Sequence, residues 1–245
     1  MSKPNGAVIY RGPSMIDGKP IVAVATGLAH ASANPKTGDM VQTWILREDI
    51  PPLEAGKTGE DASICGGCKH RPTAGGTCYV SIFQGPRSVW AAYKRESYPI
   101  LAPADAAQLV TGRKVRLGAY GDPCAVPLQV WHAFIALASG HTGYTHQWRG
   151  RCAVGFERLV QASVDTEREH TAARAKGWAT FRVRSETDPI LPGEFVCPAS
   201  DEGGHVATCQ TCGACNGAGS QVVIVVHGAR SARFGQGAQR TRGDE

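Results

Sequence analysis

Short apolar runs alternate with polar turn signals along the first third of the chain. Residues 7–10, 21–25 and 40–46 have strand length, and Gly-Pro-Ser and Asp-Gly turns separate the first two. Residues 51–63 are rich in proline, glycine and charge and read as a loop. Within 88–98, Val89, Ala92 and Tyr93 fall at helical spacing just beyond Pro86, which predicts a helix. Strand and helix patterns then take turns. Residues 115–120 predict a strand running into Gly121-Asp122-Pro123, 128–138 an apolar helix, 142–148 a strand, 156–175 a long charged helix and 179–183 a strand. This alternation predicts an α/β fold built on a parallel sheet, fully or partly closed as a β/α barrel, with functional residues at the carboxyl ends of strands. Asp122 stands at one such end, as a candidate to hold a ribose, a metal-bound water or a base edge, and His146 lies near another. His141 and His146 are five residues apart and so fall on opposite faces of their strand, which excludes a shared ligand set.

With 245 residues and 42% hydrophobic content, the chain can bury a sizeable core. The expected organisation is a barrel-like domain over 1–190 that includes the N-terminal strands, a cysteine-rich metal-binding extension over 191–230, and a basic, disordered tail over 231–245. Arg230, Arg233, Arg240 and Arg242 make the tail a second-choice phosphate contact. Thirty glycines and fifteen prolines imply short elements. No apolar run approaches the roughly 18 residues of a membrane span, and no signal-peptide core follows the polar N-terminus, so a cytoplasmic protein with reduced thiols and no membrane partner is expected. The net charge of +5 permits a nucleic-acid or nucleotide partner without demanding one. Trp90, Trp131, Trp148 and Trp178 are expected in or near the core.

The candidate chemistry lies in the cysteines. Seven of nine fall into two groups, Cys65/Cys68/Cys78 and Cys197/Cys209/Cys212/Cys215, while Cys124 and Cys152 stand alone and suit core packing. The two-residue gaps of Cys209-x2-Cys212-x2-Cys215 let successive thiolates turn toward one centre, with Cys197 as a fourth ligand. Four thiolates fit tetrahedral zinc or an iron–sulfur cluster equally well. The three thiolates of the first group either recruit His70 to complete a zinc shell or leave one iron of a cluster open.

The stretch Asn34-Pro35-Lys36-Thr37-Gly38, the cysteines ending in Cys78-Tyr79, and Arg116-Leu-Gly-Ala-Tyr-Gly121-Asp122-Pro123 together resemble the phage gene product 88 family. That family is similar in layout to radical-SAM-like proteins, in which three cysteines hold a four-iron cluster at the mouth of a partial β/α barrel. The resemblance covers roughly residues 30–150. It implies a metal-binding phage or mobile-element protein in the host cytoplasm, with Cys65, Cys68 and Cys78 holding an iron–sulfur cluster that binds S-adenosylmethionine and Cys197, Cys209, Cys212 and Cys215 holding an auxiliary centre. Radical-SAM enzymes space their cysteines x3 and x2 with an aromatic residue before the last; here the gaps are x2 and x9 and Tyr79 follows. Two functions are therefore expected in competition: a radical-SAM-like enzyme acting on a nucleotide or nucleic acid, with Asp122 in the catalytic site, or a non-enzymatic protein with structural zinc that binds DNA or RNA.

Overall fold

The structure is a computed structural model and describes residues 4–30 and 34–235. Among these residues nine strands form one sheet: β1 Gly6–Pro13, β2 Pro20–Thr26, β3 Val41–Arg47, β4 Lys114–Tyr120, β5 Gly140–Thr145, β6 Gln161–Val164, β7 Thr180–Arg184, β8 Glu194–Val196 and β9 Gln221–Val225. Seven α-helices accompany them: α1 Pro52–Thr58, α2 Ala62–Cys65, α3 Gly85–Lys94, α4 Pro103–Ala107, α5 Leu128–Ile135, α6 Glu167–Ala175 and α7 Cys209–Cys212. No helix among the described residues is long and apolar enough to cross a membrane.

The strands lie in the order β1-β2-β3-β4-β5-β6-β7-β9-β8. β1, β2 and β3 pair antiparallel, and every pairing from β3 onward is parallel. The sheet is thus mostly parallel and singly wound from β3 to β7, as strand–helix alternation predicts. It is not closed: β1 and β8 are edges, and no pairing joins them among the described residues. The antiparallel start extends the sheet at one edge, which a barrel of alternating β/α units does not do.

Because side chains alternate along a strand, each parallel strand gives one set to each face. Val115 and Leu117 of β4 and Ala162 and Val164 of β6 are buried in the main core with Trp131 and Phe134 of α5 and Ala173 of α6. Arg116, Tyr144, Ser163, Phe181, Val222 and Ile224 point the other way and line a cavity of about 360 Å³. Trp131, Trp148 and Trp178 are buried, Trp90 packs on the core edge, and Cys124 is fully buried.

Three expectations are corrected. The stretch over 51–63, expected as a loop, holds α1 and the start of α2, with Pro52 opening α1 in its first turn. The predicted helix over 156–175 is split: Phe156–Arg158 forms a 3₁₀ turn, β6 follows, and α6 begins only after Thr166. Thr166 accepts from the Glu169 amide at 3.1 Å, and the Glu169 carboxylate accepts from the Asp165 amide at 2.9 Å, so a local cap sets the start. The segment expected as an extension over 191–230 contributes β8 and β9 to the same sheet, with β9 inserted between β7 and β8. Residues 236–245, with Arg240 and Arg242, lie outside the described residues. Residues 231–235 do not hang free, since Phe234 stacks on His70 at 6.1 Å between ring centroids.

Candidate functional site

The first cysteine group follows β3 through α1 and α2. Cys65 closes α2, Cys68 donates its amide to the Cys65 carbonyl at 3.1 Å, and Cys78 donates to the His70 carbonyl at 2.9 Å, so the loop folds back on itself. Gly66 makes this possible. Its φ of +53° lies in the left-handed region, and a Cβ there would meet the Gln147 side chain at 2.3 Å. Gln147 is the clamp: its Nε2 donates to the Cys65 carbonyl at 2.9 Å, and its Oε1 accepts from the Gly67 amide at 3.1 Å. Arg71 adds a bond to the Gly66 carbonyl at 2.8 Å.

Asp122 sits at the carboxyl end of β4, as expected, and is buried. Its Oδ1 accepts from the Cys124 amide at 3.0 Å and the Thr145 hydroxyl at 2.7 Å; its Oδ2 accepts from the His146 amide at 2.8 Å and Gln147 at 3.4 Å. The Asp122 amide donates to the Ile64 carbonyl at 2.6 Å. Burial pushes the carboxyl above the ordinary carboxylate range, against the pull of these donors. The carboxylate thus joins the ends of β4 and β5 and the backbone amide ties them to α2, which is a positioning role, with the carboxylate's acceptor capacity spent on protein donors.

His70 is likewise engaged at both ring nitrogens: Nδ1 lies 2.5 Å from the Thr77 hydroxyl and Nε2 3.1 Å from Asp165. Asp165 is held below the usual carboxylate range, despite burial, by His70 and Lys69. His146 faces the same cavity edge-on to His70, 5.4 Å between centroids, and burial with His70 nearby lowers its pKa to about 4. His141 turns to the opposite face and bonds the Leu159 carbonyl at 2.9 Å, in keeping with its five-residue offset from His146.

The second group is anchored at β8, the loop before β3 and the middle of the sheet at β5. Cys197 follows β8 and donates its amide to Val223 at 2.8 Å. Thr208 and Thr211 form a reciprocal cap that starts α7 at Cys209. The Cys209 amide then donates to the Lys36 carbonyl at 2.9 Å and the Gln210 amide to Thr37 at 3.2 Å, while the Gln210 side chain accepts from the Asp39 amide at 2.9 Å. The Asn34-Pro35-Lys36-Thr37-Gly38 stretch is therefore the seat of α7. Cys215 accepts from the Gly143 amide at 2.9 Å through its carbonyl. Cys197 and Cys215 pack with Val222 and Ile224 in a small apolar cluster beside Cys209.

All seven cysteines of the two groups line the one cavity, together with His70 and Asp122. None is in a disulfide. Within the first group Cys68 and Cys78 act electrostatically on Cys65, and within the second Cys197, Cys209 and Cys212 act on Cys215. Burial pushes up the thiols of Cys65, Cys68, Cys78 and Cys197, and that of Cys215 to about 12. Such thiols ionise when a cation offsets the cost, so the donor type, though not the present placement, suits a thiolate-bound metal. Among the described residues no three Cys, His, Asp or Glu side chains already converge as a single-ion site does. Sequence reasoning did not find the Gln147 and Thr145 side chains, which stand in no motif, or the carbonyls of Lys36 and Thr37, since contacts made through backbone atoms leave no residue pattern.

No family model, curated protein or solved structure matches this chain.

Proposed function

We propose that the chain is an iron–sulfur, radical-SAM-like enzyme of phage or mobile-element type that acts on a nucleotide or nucleic-acid substrate. The observation that carries this reading is the meeting of two thiol sets, one after β3 and one around α7, in a single cavity on the face of the sheet opposite α5 and α6. A partial β/α barrel is the finer description of that sheet, with the first thiol set following its first parallel strand. The engagement of both His70 nitrogens supports a three-thiolate centre over a zinc shell completed by histidine. When bound, a four-iron cluster on three thiolates keeps one iron free for S-adenosylmethionine and supplies an electron for its reductive cleavage. The chain's own contribution is placement: Gln147 and Asp122 fix the Cys65 loop, and the apolar wall of β7 and β9 keeps water from the cavity floor.

The second set, four thiols with no histidine, suits a closed auxiliary centre. Anaerobic purification with iron, sulfide and zinc analysis, followed by reduction in the presence of S-adenosylmethionine, tests the proposal. Iron with sulfide and release of 5′-deoxyadenosine are expected. Zinc without iron, and no cleavage, would replace the enzyme with the zinc protein that binds DNA or RNA.

A further inference from the structure

Two cationic side chains face the cavity between the thiol sets without a carboxylate partner. Arg116 projects from β4, and its Nη2 donates to the Tyr79 hydroxyl. Lys36 enters from the loop that seats α7, with its Nζ 3.3 Å from His227 Nε2. Neither makes an ion pair with Asp or Glu among the described residues. Other arginines of the sheet are treated differently: Arg47 meets Asp49 and Glu60, Arg182 meets Glu194, and Arg184 meets Glu202. A protein that neutralises its buried guanidinium groups and leaves one facing a cavity has left a place for an anion.

The charge count at this place exceeds one. Lys36 and Arg116 carry like charges and line the same stretch of the cavity. The Cys197 and Cys209 sulfurs also face Lys36, and Asp201 acts on it from beyond ion-pair contact. A carboxylate would balance one of the two cations, whereas a phosphate monoester carries close to two charges and three acceptor oxygens. The neighbouring wall is aromatic, with Tyr144 and Phe181 4.3 Å apart between centroids. A cavity of about 360 Å³ falls in the range of small-ligand sites.

We infer that this part of the cavity seats the phosphoryl group of a nucleotide-sized substrate on Arg116 and Lys36, with the nucleoside against Tyr144 and Phe181. The inference deepens the function proposed above and rests on it only in taking the cavity as the substrate site.

Calorimetric titration of the protein as isolated under anaerobic conditions, with the four ribonucleoside 5′-monophosphates and the matching nucleosides, tests it. At least one nucleotide is expected to bind tenfold or more tighter than its nucleoside, by the strength of charge-assisted hydrogen bonds. Arg116→Gln and Lys36→Met are each expected to erase most of that difference, and Arg116→Lys to keep part of it; the latter two also serve if Arg116→Gln does not fold. Equal binding of nucleotide and nucleoside, discrimination that survives Arg116→Gln or Lys36→Met, or weakening of S-adenosylmethionine binding alone, would overturn the inference. Phosphate discrimination in a protein with zinc and no iron would sustain this inference and sink the radical reading. Cleavage of S-adenosylmethionine without phosphate discrimination would do the reverse.

Discussion

Gln147 holds Cys65 in place: its side-chain amide reaches the Cys65 carbonyl at 2.9 Å from a position just past β5. The same side chain takes the Gly67 amide at 3.1 Å, so one residue fixes both flanks of Gly66. Gln147→Ala leaves two backbone groups of a tight loop without their partner. An expected loss of about 1–3 kcal/mol follows, read by urea unfolding, together with reduced metal content in the first thiol set. Full metal content and unchanged stability would show that the loop is held by its own turns.

Asp122 gives a sharper contrast. Asp122→Ala strands the Thr145 hydroxyl and the amides of Cys124 and His146 in a buried place, and an expected loss of about 3 kcal/mol or more follows. Asp122→Asn keeps one acceptor but points an amide group at other donors, for a loss of about 2 kcal/mol. Activity that vanishes in Asp122→Asn with the melting temperature unchanged would make Asp122 a residue that touches substrate.

The two thiol sets are predicted to lose metal independently. Cys68→Ser should deplete the first centre and leave the second loaded, and Cys212→Ser should do the opposite, as metal and sulfide analysis of each variant would report. Gly38→Val extends the test, because a Cβ at Gly38 would meet the Gln210 side chain at 2.6 Å and φ there is +65°. The expected result is the metal pattern of Cys212→Ser with every cysteine still present. Simultaneous loss of both centres from any one variant would show a single shared group.

Away from the cavity, Arg182 and Glu194 form a bidentate pair at 2.6 and 2.7 Å, with both side chains shut from water. Glu194→Gln should cost about 3 kcal/mol by leaving a buried guanidinium unbalanced, while the double change Arg182→Met with Glu194→Leu should recover most of it. Denaturant unfolding of the three proteins decides; a double variant no better than the single would mean that His170, 3.5 Å from Glu194, also depends on the charge.

The parallel sheet was legible because strand and helix periodicities differ, and β4, β5 and β7 fall within a few residues of their expected bounds. β6 was not, since its four residues sit within a charged stretch whose helical spacing begins only at Thr166. β8 and β9 went unread because the cysteines around them drew the segment into a metal module, although Val222, Val223 and Ile224 form a buried apolar run. The cysteine groups were visible as spacing, and their meeting in one cavity was not. That meeting depends on which strand edges the chain visits, a property of topology that no local pattern carries.

The seat of α7 has a consequence for the order in which the molecule assembles. Gln147 reaches the first thiol loop across 80 and 82 residues, whereas Gln210 meets Asp39 across 171 residues and Lys36 meets His227 across 191. Contacts of such separation carry the greater loop-closure cost and form late. The cavity wall that carries α7 therefore bears the greater entropic cost of closure, and the two ends of the chain meet to build it.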